Sequence, residues 1–307
     1  MGSSHRGTLQ LAFTVLSVVV FAVVLFFNFA AGSTSLGIFN QSTGNVSDKY
    51  QVFLTPPGWT FIIWGVIYSW MAVALIYALS QLCRRTAAGP VYLNPATLTS
   101  PFWFFFIVNQ ALNVGWLFIW DRELLTASAV VLCIVMITNW LVMLILHRSL
   151  YLCRVSPEPP TPREVWLLRL CVHNGLAVYT TWTTVAALIS IDVALVYVGE
   201  ASDELVTSLL AGLLAAGALA WLLLELTVLD KYTRWTISPG FALLWALTGV
   251  FQNNYWRAPG STPAMVATAL GVACVTLAVR LAVLGVRVLR ERGRGQMTVS
   301  LHKMSSR

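Results

Sequence analysis

The chain has 307 residues, of which 58% are hydrophobic and only 10% are charged. A water-soluble domain carries about 25% charged residues, so this composition excludes an ordinary soluble protein. Only hydrogen-bonded helices and closed barrels can cross a bilayer, and the apolar runs here have the length of about 20 residues that a membrane helix needs. We therefore predict an all-α integral membrane protein and exclude a barrel.

Eight apolar runs follow one another along the chain, at about residues 9–31, 57–82, 101–120, 124–147, 165–198, 205–229, 236–255 and 263–289. The first run could instead be a signal peptide cleaved near Ala31, but its apolar stretch is longer than such peptides usually have. The longest connections, 32–56 and 148–164, are too short and too rich in Pro, Ser and Asn for a folded soluble domain. We therefore expect a single membrane domain.

The basic residues predict the orientation, because Lys and Arg concentrate in cytosolic loops. With eight spans, 16 of the 19 basic residues fall at one side, and only Lys49, Arg122 and Arg257 fall at the other. Both termini are then cytosolic, in an endomembrane or the plasma membrane. The net charge of +7 is thus a topology signal. Membrane lipid is a predicted partner, nucleic acid is not, and the basic tail would be attracted to anionic lipid.

Two glycosylation sequons, at Asn40 and Asn45, lie in the first non-cytosolic loop. They agree with the orientation that the charges predict, because such sites are used on the secretory side of the membrane. The alternative is chance, since polar loops rich in Asn often contain sequons.

Aromatic residues follow the paired prolines that begin the second span. After Pro57, the residues Phe61, Trp64 and Tyr68 recur at helical spacing and would line one face of the helix. Trp64 and Tyr68 lie too deep for the aromatic belt at the membrane surface. They could therefore point into the bundle, although they could also face lipid.

The third span has the densest polar face. Asn109, Asn113, Trp116 and Trp120 follow one another at spacings of four, three and four, with Gln110 beside them. This spacing places them on one side of a helix. Contact with a ligand and hydrogen bonding to neighbouring helices remain equally good explanations.

The fifth span repeats the pattern with Tyr179, Trp182, Ala186 and Ser190. The small residues would leave room beside the rings, although small residues more often serve close helix packing. Three spans with such stripes favour a shared pocket more strongly than one span does.

Few charged residues fall in or next to the spans. The segment 121–123 (DRE) is expected to be a solvated turn, and Asp192 and Glu225 are either candidate proton or cation groups or, more commonly, members of structural pairs. We find no zinc-protease helix, phosphate loop, catalytic triad or metal-ligand cluster in the sequence. The sequence thus favours a protein that is not an enzyme, with no catalytic residues and no metal.

Three motifs resemble the TspO/MBR family, the tryptophan-rich sensory proteins that include the mitochondrial translocator protein. They are LTPPGWTFIIWGVIY at 54–68, QALNVGWLF at 110–118 and YTTWTTVA at 179–186, in the family's order. The resemblance implies a five-helix bundle over residues 9–198 with a pocket for hydrophobic ligands such as porphyrins or sterols. It implies pocket positions at Trp64, Asn113, Trp182 and Ala186, with Pro57, Phe61 and Tyr68 nearby.

The chain also departs from the family pattern. Asn113 follows Gln110 by three residues where the family usually has four, so its direction could differ, and Ser190 stands where the family has Asn. Three further spans follow the five. The resemblance therefore implies an extended eight-helix relative with four segments: a cytosolic N-terminus (1–8), a TspO-like membrane domain (9–198), three additional helices (199–289) and a basic cytosolic tail (290–307).

These expectations lead to two functional hypotheses. The first is a sensor or binding protein in which a planar hydrophobic ligand of porphyrin, haem or sterol type lies among Pro57, Phe61, Trp64, Tyr68, Asn109, Asn113, Trp116, Tyr179, Trp182 and Ala186. The second is a transporter of a small solute or a lipid-like molecule, with a polar path formed by Asn109, Gln110, Asp192 or Glu225. It requires polar residues that converge near the middle of the bilayer. The oligomeric state, including a homodimer, stays open.

Overall fold

The computed structural model describes residues 3–86 and 89–305, and the side chains of residues 5, 7–86 and 89–291. Its helices are α1 (Ser3–Ser33), α2 (Thr43–Lys49), α3 (Ile63–Cys83), α4 (Ser100–Asp121), α5 (Leu125–Arg154), α6 (Pro162–Leu168), α7 (Asn174–Tyr197), α8 (Asp203–Leu226), α9 (Asp230–Thr233), α10 (Ser238–Asn254) and α11 (Thr262–Ser305). A 3-10 turn (Gly58–Ile62) leads into α3, and a π-helical turn (Arg169–His173) joins α6 to α7. Two short strands, β1 (Arg85–Thr86) and β2 (Gly89–Pro90), pair antiparallel. The side chains of most of the predicted N-terminal segment and of tail residues 292–307 lie outside this description.

Helix boundaries follow from local sequence signals. Pro162 and Pro239 stand in the first turn of their helices, where a missing N–H costs nothing. Ser202 caps α8 by accepting a hydrogen bond from the Leu205 N–H, and Asp203 and Glu204 add favourable charge to the first turn. The eight predicted spans correspond to α1, α3, α4, α5, α7, α8, α10 and α11, which lie near the predicted positions.

Among the residues that the structure describes, seven helices are long and apolar enough to cross a membrane, judged by length and composition. The predicted seventh span is α10, which has 17 residues. Ser238 at its beginning donates to the carbonyl oxygen of Asn174, and Asn254 at its end donates to the carbonyl oxygen of Thr55. α10 thus extends from one end of the bundle to the other despite its shortness.

The two ends of the bundle are defined by contacts between loops and helix ends. At the basic end, Gln10 donates to the carbonyl oxygen of Leu98, and Ser149 donates to that of Ala96. At the opposite end, which we call the sequon end, the backbone N–H of Asn40 donates to Asp121. Every long helix runs from one of these ends to the other.

The long helices form two rings that share α7. The first ring closes through the contacts of α1 with α3, α3 with α7, α7 with α5, α5 with α4, and α4 with α1. The second closes through α7 with α8, α8 with α11, α11 with α10, and α10 with α7. Accordingly, 67% of the apolar stretch within Pro162–Tyr197 is buried, against 22 to 44% for the other six membrane-length helices. α7 is therefore the central helix of the molecule.

Candidate functional site

A cavity of about 380 Å³ lies inside the first ring at the sequon end. The helices α1, α3, α4 and α7 form its walls, and residues of the 43–58 segment close it from the outside. Its aromatic lining consists of Tyr50, Phe61, Trp64, Tyr68, Trp116, Trp120 and Trp182. The volume falls at the lower end of the range of about 300 to 1,000 Å³ that is typical of small-molecule sites.

The rings in this cavity contact one another in two groups. Trp64 stacks on Tyr68 with centroids 5.5 Å apart, and it meets Trp182 edge-on at 6.3 Å. Trp116 stacks on Trp120 at 5.7 Å on another wall. Helical spacing explains both stacks, since residues three or four positions apart lie above one another on the same face. The arrangement offers flat apolar surfaces to a planar molecule.

Six of the ten residues predicted for ligand contact line this cavity: Phe61, Trp64, Tyr68, Trp116, Trp182 and Ala186. The other four do not. Pro57 lies between the lining residues Pro56 and Gly58, and Tyr179 is buried behind Trp64, with the two ring centroids 6.1 Å apart.

The two asparagines of the predicted α4 stripe point to different neighbours. Asn109 donates to the carbonyl oxygen of Val135 and to Thr138 on α5, so it joins two helices. Asn113 accepts a hydrogen bond of 3.0 Å from Asn28 on α1. Asn113 does not line the cavity itself, but it lies at its edge, because both Asn28 and the neighbouring Tyr68 are lining residues.

Two buried polar atoms of the cavity lining make no hydrogen bond of standard geometry. The Trp182 side chain is 2% exposed, and its Nε1–H has no partner. The Tyr68 hydroxyl, which lies beside the Asn113 amide, also makes no such bond. The two indole N–H groups on the α4 wall do have hydrogen-bond partners. Trp116 donates to Ser128, and Trp120 donates to the carbonyl oxygen of Thr43. Buried polar groups are nearly always paired in native proteins, so these two atoms call for an explanation.

The turn between α4 and α5 fastens the loop that closes the cavity. Asp121 accepts the backbone N–H groups of Asn40 and Gln41 at 2.8 and 3.0 Å. Glu123 accepts from the side chains of Gln41, Lys49 and Tyr50. These three hydrogen bonds, that of Gln41 first, lower the pKa of Glu123 to about 2. The expectation of a merely solvated turn is therefore wrong, because its carboxylates anchor the loop.

Several residues that line the cavity were not among the ten predicted ligand contacts. Asn28 lines it from α1, and Thr43 and Tyr50 line it from the loop. Ser190 lines it from α7, on the helical stripe that the sequence predicted together with Trp182 and Ala186. A lone Asn in an apolar span was a usable signal for Asn28. The loop residues carried no such signal, because their position depends on contacts with Asp121 and Glu123 that are distant in sequence.

The residues of the predicted transport path do not meet. Asp192 accepts a hydrogen bond of 2.6 Å from Thr207 near the sequon end. Glu225 pairs with Arg280 at 3.3 Å towards the basic end. Gln110 donates to Asn109 inside the first ring. The contacts of these four polar residues thus give no continuous polar path.

A family model described as TSPO-like protein matches residues 14–283. The match begins in α1 and ends in α11, so it includes the helices of both rings. No curated protein and no solved structure matches the chain.

Proposed function

The chain belongs to the TSPO-like protein family, and we propose that it is a multi-pass membrane protein that binds a planar hydrophobic ligand in the cavity of the first ring. Its role would be that of a sensor or binding protein. Porphyrins and sterols are the ligand classes that fit the family resemblance and the flat aromatic walls.

The observation that carries the proposal is the unpartnered Nε1–H of Trp182. An indole N–H can only donate, and a buried donor without an acceptor costs about 1–3 kcal/mol. The N–H is fully buried beside the cavity, so a rotation of the Trp182 ring would bring it to a carbonyl or carboxylate oxygen of a ligand and remove the cost. The Tyr68 hydroxyl, which lies beside the Asn113 amide and lines the same cavity from α3, offers a second donor. The ligand is therefore a flat apolar molecule with at least one hydrogen-bond acceptor.

The test is equilibrium binding of protoporphyrin IX, followed through its own absorbance, to the purified protein in lipid nanodiscs. Trp182→Phe keeps an aromatic ring but removes the N–H, and we expect about a tenfold weaker Kd from the loss of one buried hydrogen bond. The expected effect of Tyr68→Phe is smaller, because a hydroxyl can rotate towards another acceptor.

Trp103→Phe is the matched control. Trp103 is also 2% exposed and its Nε1–H also has no partner, but it does not line the cavity. Its removal should leave the Kd unchanged. Equal effects of Trp103→Phe and Trp182→Phe, or the absence of saturable binding to the wild type, would contradict the proposal.

We also infer that the basic end faces the cytosol. Arg84, Arg169, Arg234 and Arg287 gather there, whereas Lys49 and Arg257 lie at the sequon end. This distribution is the one that basic residues adopt around membrane helices. The cavity would then lie in the non-cytosolic half of an endomembrane or of the plasma membrane.

A further inference from the structure

A cleft lies between the second ring and α5, and it shares no lining residue with the cavity of the first ring. It lies among α5, α7, α8, α10 and α11, has a volume of about 390 Å³, and adjoins a space of about 260 Å³ towards the basic end. Trp140, Trp221 and Glu225 line both spaces. The two spaces therefore form one continuous cleft.

The walls of the cleft suit a hydrocarbon chain. The larger of the two spaces is lined by Leu188, Leu213, Leu243 and Leu277, and Gly217 leaves room beside them. A side chain added at Gly217 would meet no atom within 4 Å. On α5 the lining runs from Met136 to Arg148, which is about 18 Å at 1.5 Å per residue. This is a long, narrow and apolar space.

The cleft also faces the lipid side of the bundle. Trp140 on α5 and Trp221 on α8 meet edge-on at 5.0 Å. Trp140 is 36% exposed, and Leu213, further along α8, is 55% exposed. A molecule could therefore enter sideways from the bilayer without crossing the loops.

A buried ion pair stands at the middle of the cleft. Glu225 and Arg280 are 3.3 Å apart, with side chains 7% and 5% exposed, and Arg280 Nη2 donates to the carbonyl oxygen of Thr233. The 3.3 Å distance joins Arg280 Nε to Glu225 Oε2, and the Trp221 side chain also lies beside the Glu225 carboxylate. A buried pair of this kind gains little stability from its own attraction, and its opposite charges leave the middle of the cleft without net charge.

The basic end of the cleft carries a positive charge without a counterion. Arg148 lines it and is exposed, and it forms no ion pair with any side chain that the structure describes. Glu225 is neutralised by Arg280. The charge at the mouth therefore favours a negatively charged headgroup.

We propose that this cleft is a binding site for one anionic membrane lipid, with its headgroup at Arg148 and an acyl chain between α5 and α8. The site is separate from the cavity of the first ring, so the proposal of a lipid site does not depend on the proposal of a porphyrin-like or sterol-like ligand.

The experiment is native mass spectrometry of the full-length protein after equilibration with equal amounts of phosphatidylserine and phosphatidylcholine of the same acyl chains. We expect one phosphatidylserine molecule to be retained preferentially. Arg148→Gln should lower that preference about fivefold, the value of one basic residue near an anionic lipid. Gly217→Leu, which fills the cleft, should abolish retention.

Two variants serve as controls. Arg154→Gln removes an exposed arginine near the same end that does not line the cleft, and Gly271→Leu adds a side chain into open space on α11. Both should retain phosphatidylserine as the wild type does. Equal retention of the two lipids by the wild type would mean ordinary boundary lipid only, and equal losses in the cleft variants and their controls would mean a nonspecific effect. Either result would overturn the proposal.

Discussion

At the scale of single residues, hydrogen-bonding capacity separates structural polar groups from those available to a ligand. Three polar side chains of α4 are hydrogen-bonded to another helix. Asn109 and Trp116 donate to residues of α5, and Asn113 accepts from Asn28 of α1. Trp182 has the same kind of position but no partner. Polarity inside a membrane span is therefore a weak indicator of a ligand site until the partners are known.

The anchoring of the loop by Glu123 should depend on pH. The pKa of Glu123 is lowered to about 2 in the folded protein from an ordinary value of 4.5, so its stabilising contribution is complete above pH 4.5. It should decline as the pH falls from 4.5 towards 2, because protonation weakens the bonds to Gln41, Lys49 and Tyr50.

Limited pepsin digestion over this pH range measures the effect. Cleavage within residues 40–50 should rise as the pH falls, relative to cleavage within 155–161 at the other end of the bundle. In Glu123→Gln the 40–50 loop should already be sensitive at pH 4.5. A wild-type loop whose relative cleavage stays constant from pH 4.5 to 2 would show that Glu123 does not anchor it.

Some of the site was predictable at this scale, and some was not. Trp64 and Tyr68, like Trp116 and Trp120, could be paired from spacing alone, because a helix keeps such residues on one face. Spacing does not say which neighbour that face meets. For that reason Asn109 and Asn113 were grouped with the rings although they bond to α5 and α1.

At the scale of elements, α10 connects the second ring to residues 56–60, which lie next to the cavity. Trp59 meets Trp245 edge-on at 4.9 Å, and Trp245 donates to the carbonyl oxygen of Thr60. Gly249 lies directly against the same segment, where an added Cβ would be 2.2 Å from Thr60 Cγ2 and 3.3 Å from Pro56 Cβ. Since Pro56 lines the cavity, a displacement of α10 would alter the ligand site.

Gly249→Ala should therefore destabilise the protein by about 1–3 kcal/mol, the usual cost of overpacking, and should weaken porphyrin binding as well. Thermal unfolding in nanodiscs and the Kd measure the two effects. Gly217→Ala is the control, because its new methyl group meets open space. If Gly249→Ala matched Gly217→Ala in Tm, α10 would not pack against residues 56–60 as described.

At the scale of the whole molecule, the all-α membrane class and the number of long helices could be predicted from the composition and from the apolar runs. The reason is that the thickness of the bilayer sets the length of a membrane helix. The sharing of α7 by two rings did not follow from them. Apolar faces on α7 and α10 look alike in sequence, and the structure shows that the two helices lie side by side, with Asn174 bonded to Trp235, Ile237 and Ser238 at the beginning of α10.

The proposed orientation makes a further prediction about the sequons. The amide of Asn40 donates to Asp121 at 3.0 Å, whereas the exposed Asn45 side chain makes no hydrogen bond among the described residues. We expect Asn45 to carry a glycan when the protein is made in a eukaryotic secretory system. Asn45→Gln should remove one glycosidase-sensitive mobility shift and Asn40→Gln should not. A wild-type protein without any glycan would argue against a non-cytosolic sequon end.

The most direct test of the ligand site is the NMR signal of the Trp182 indole N–H in protein labelled with ¹⁵N-tryptophan, assigned through Trp182→Phe among the 13 tryptophans. With saturating protoporphyrin IX, this proton should move downfield as it gains an acceptor, while the Trp103 indole signal stays in place. Binding that leaves the Trp182 signal unmoved would contradict the site that we propose.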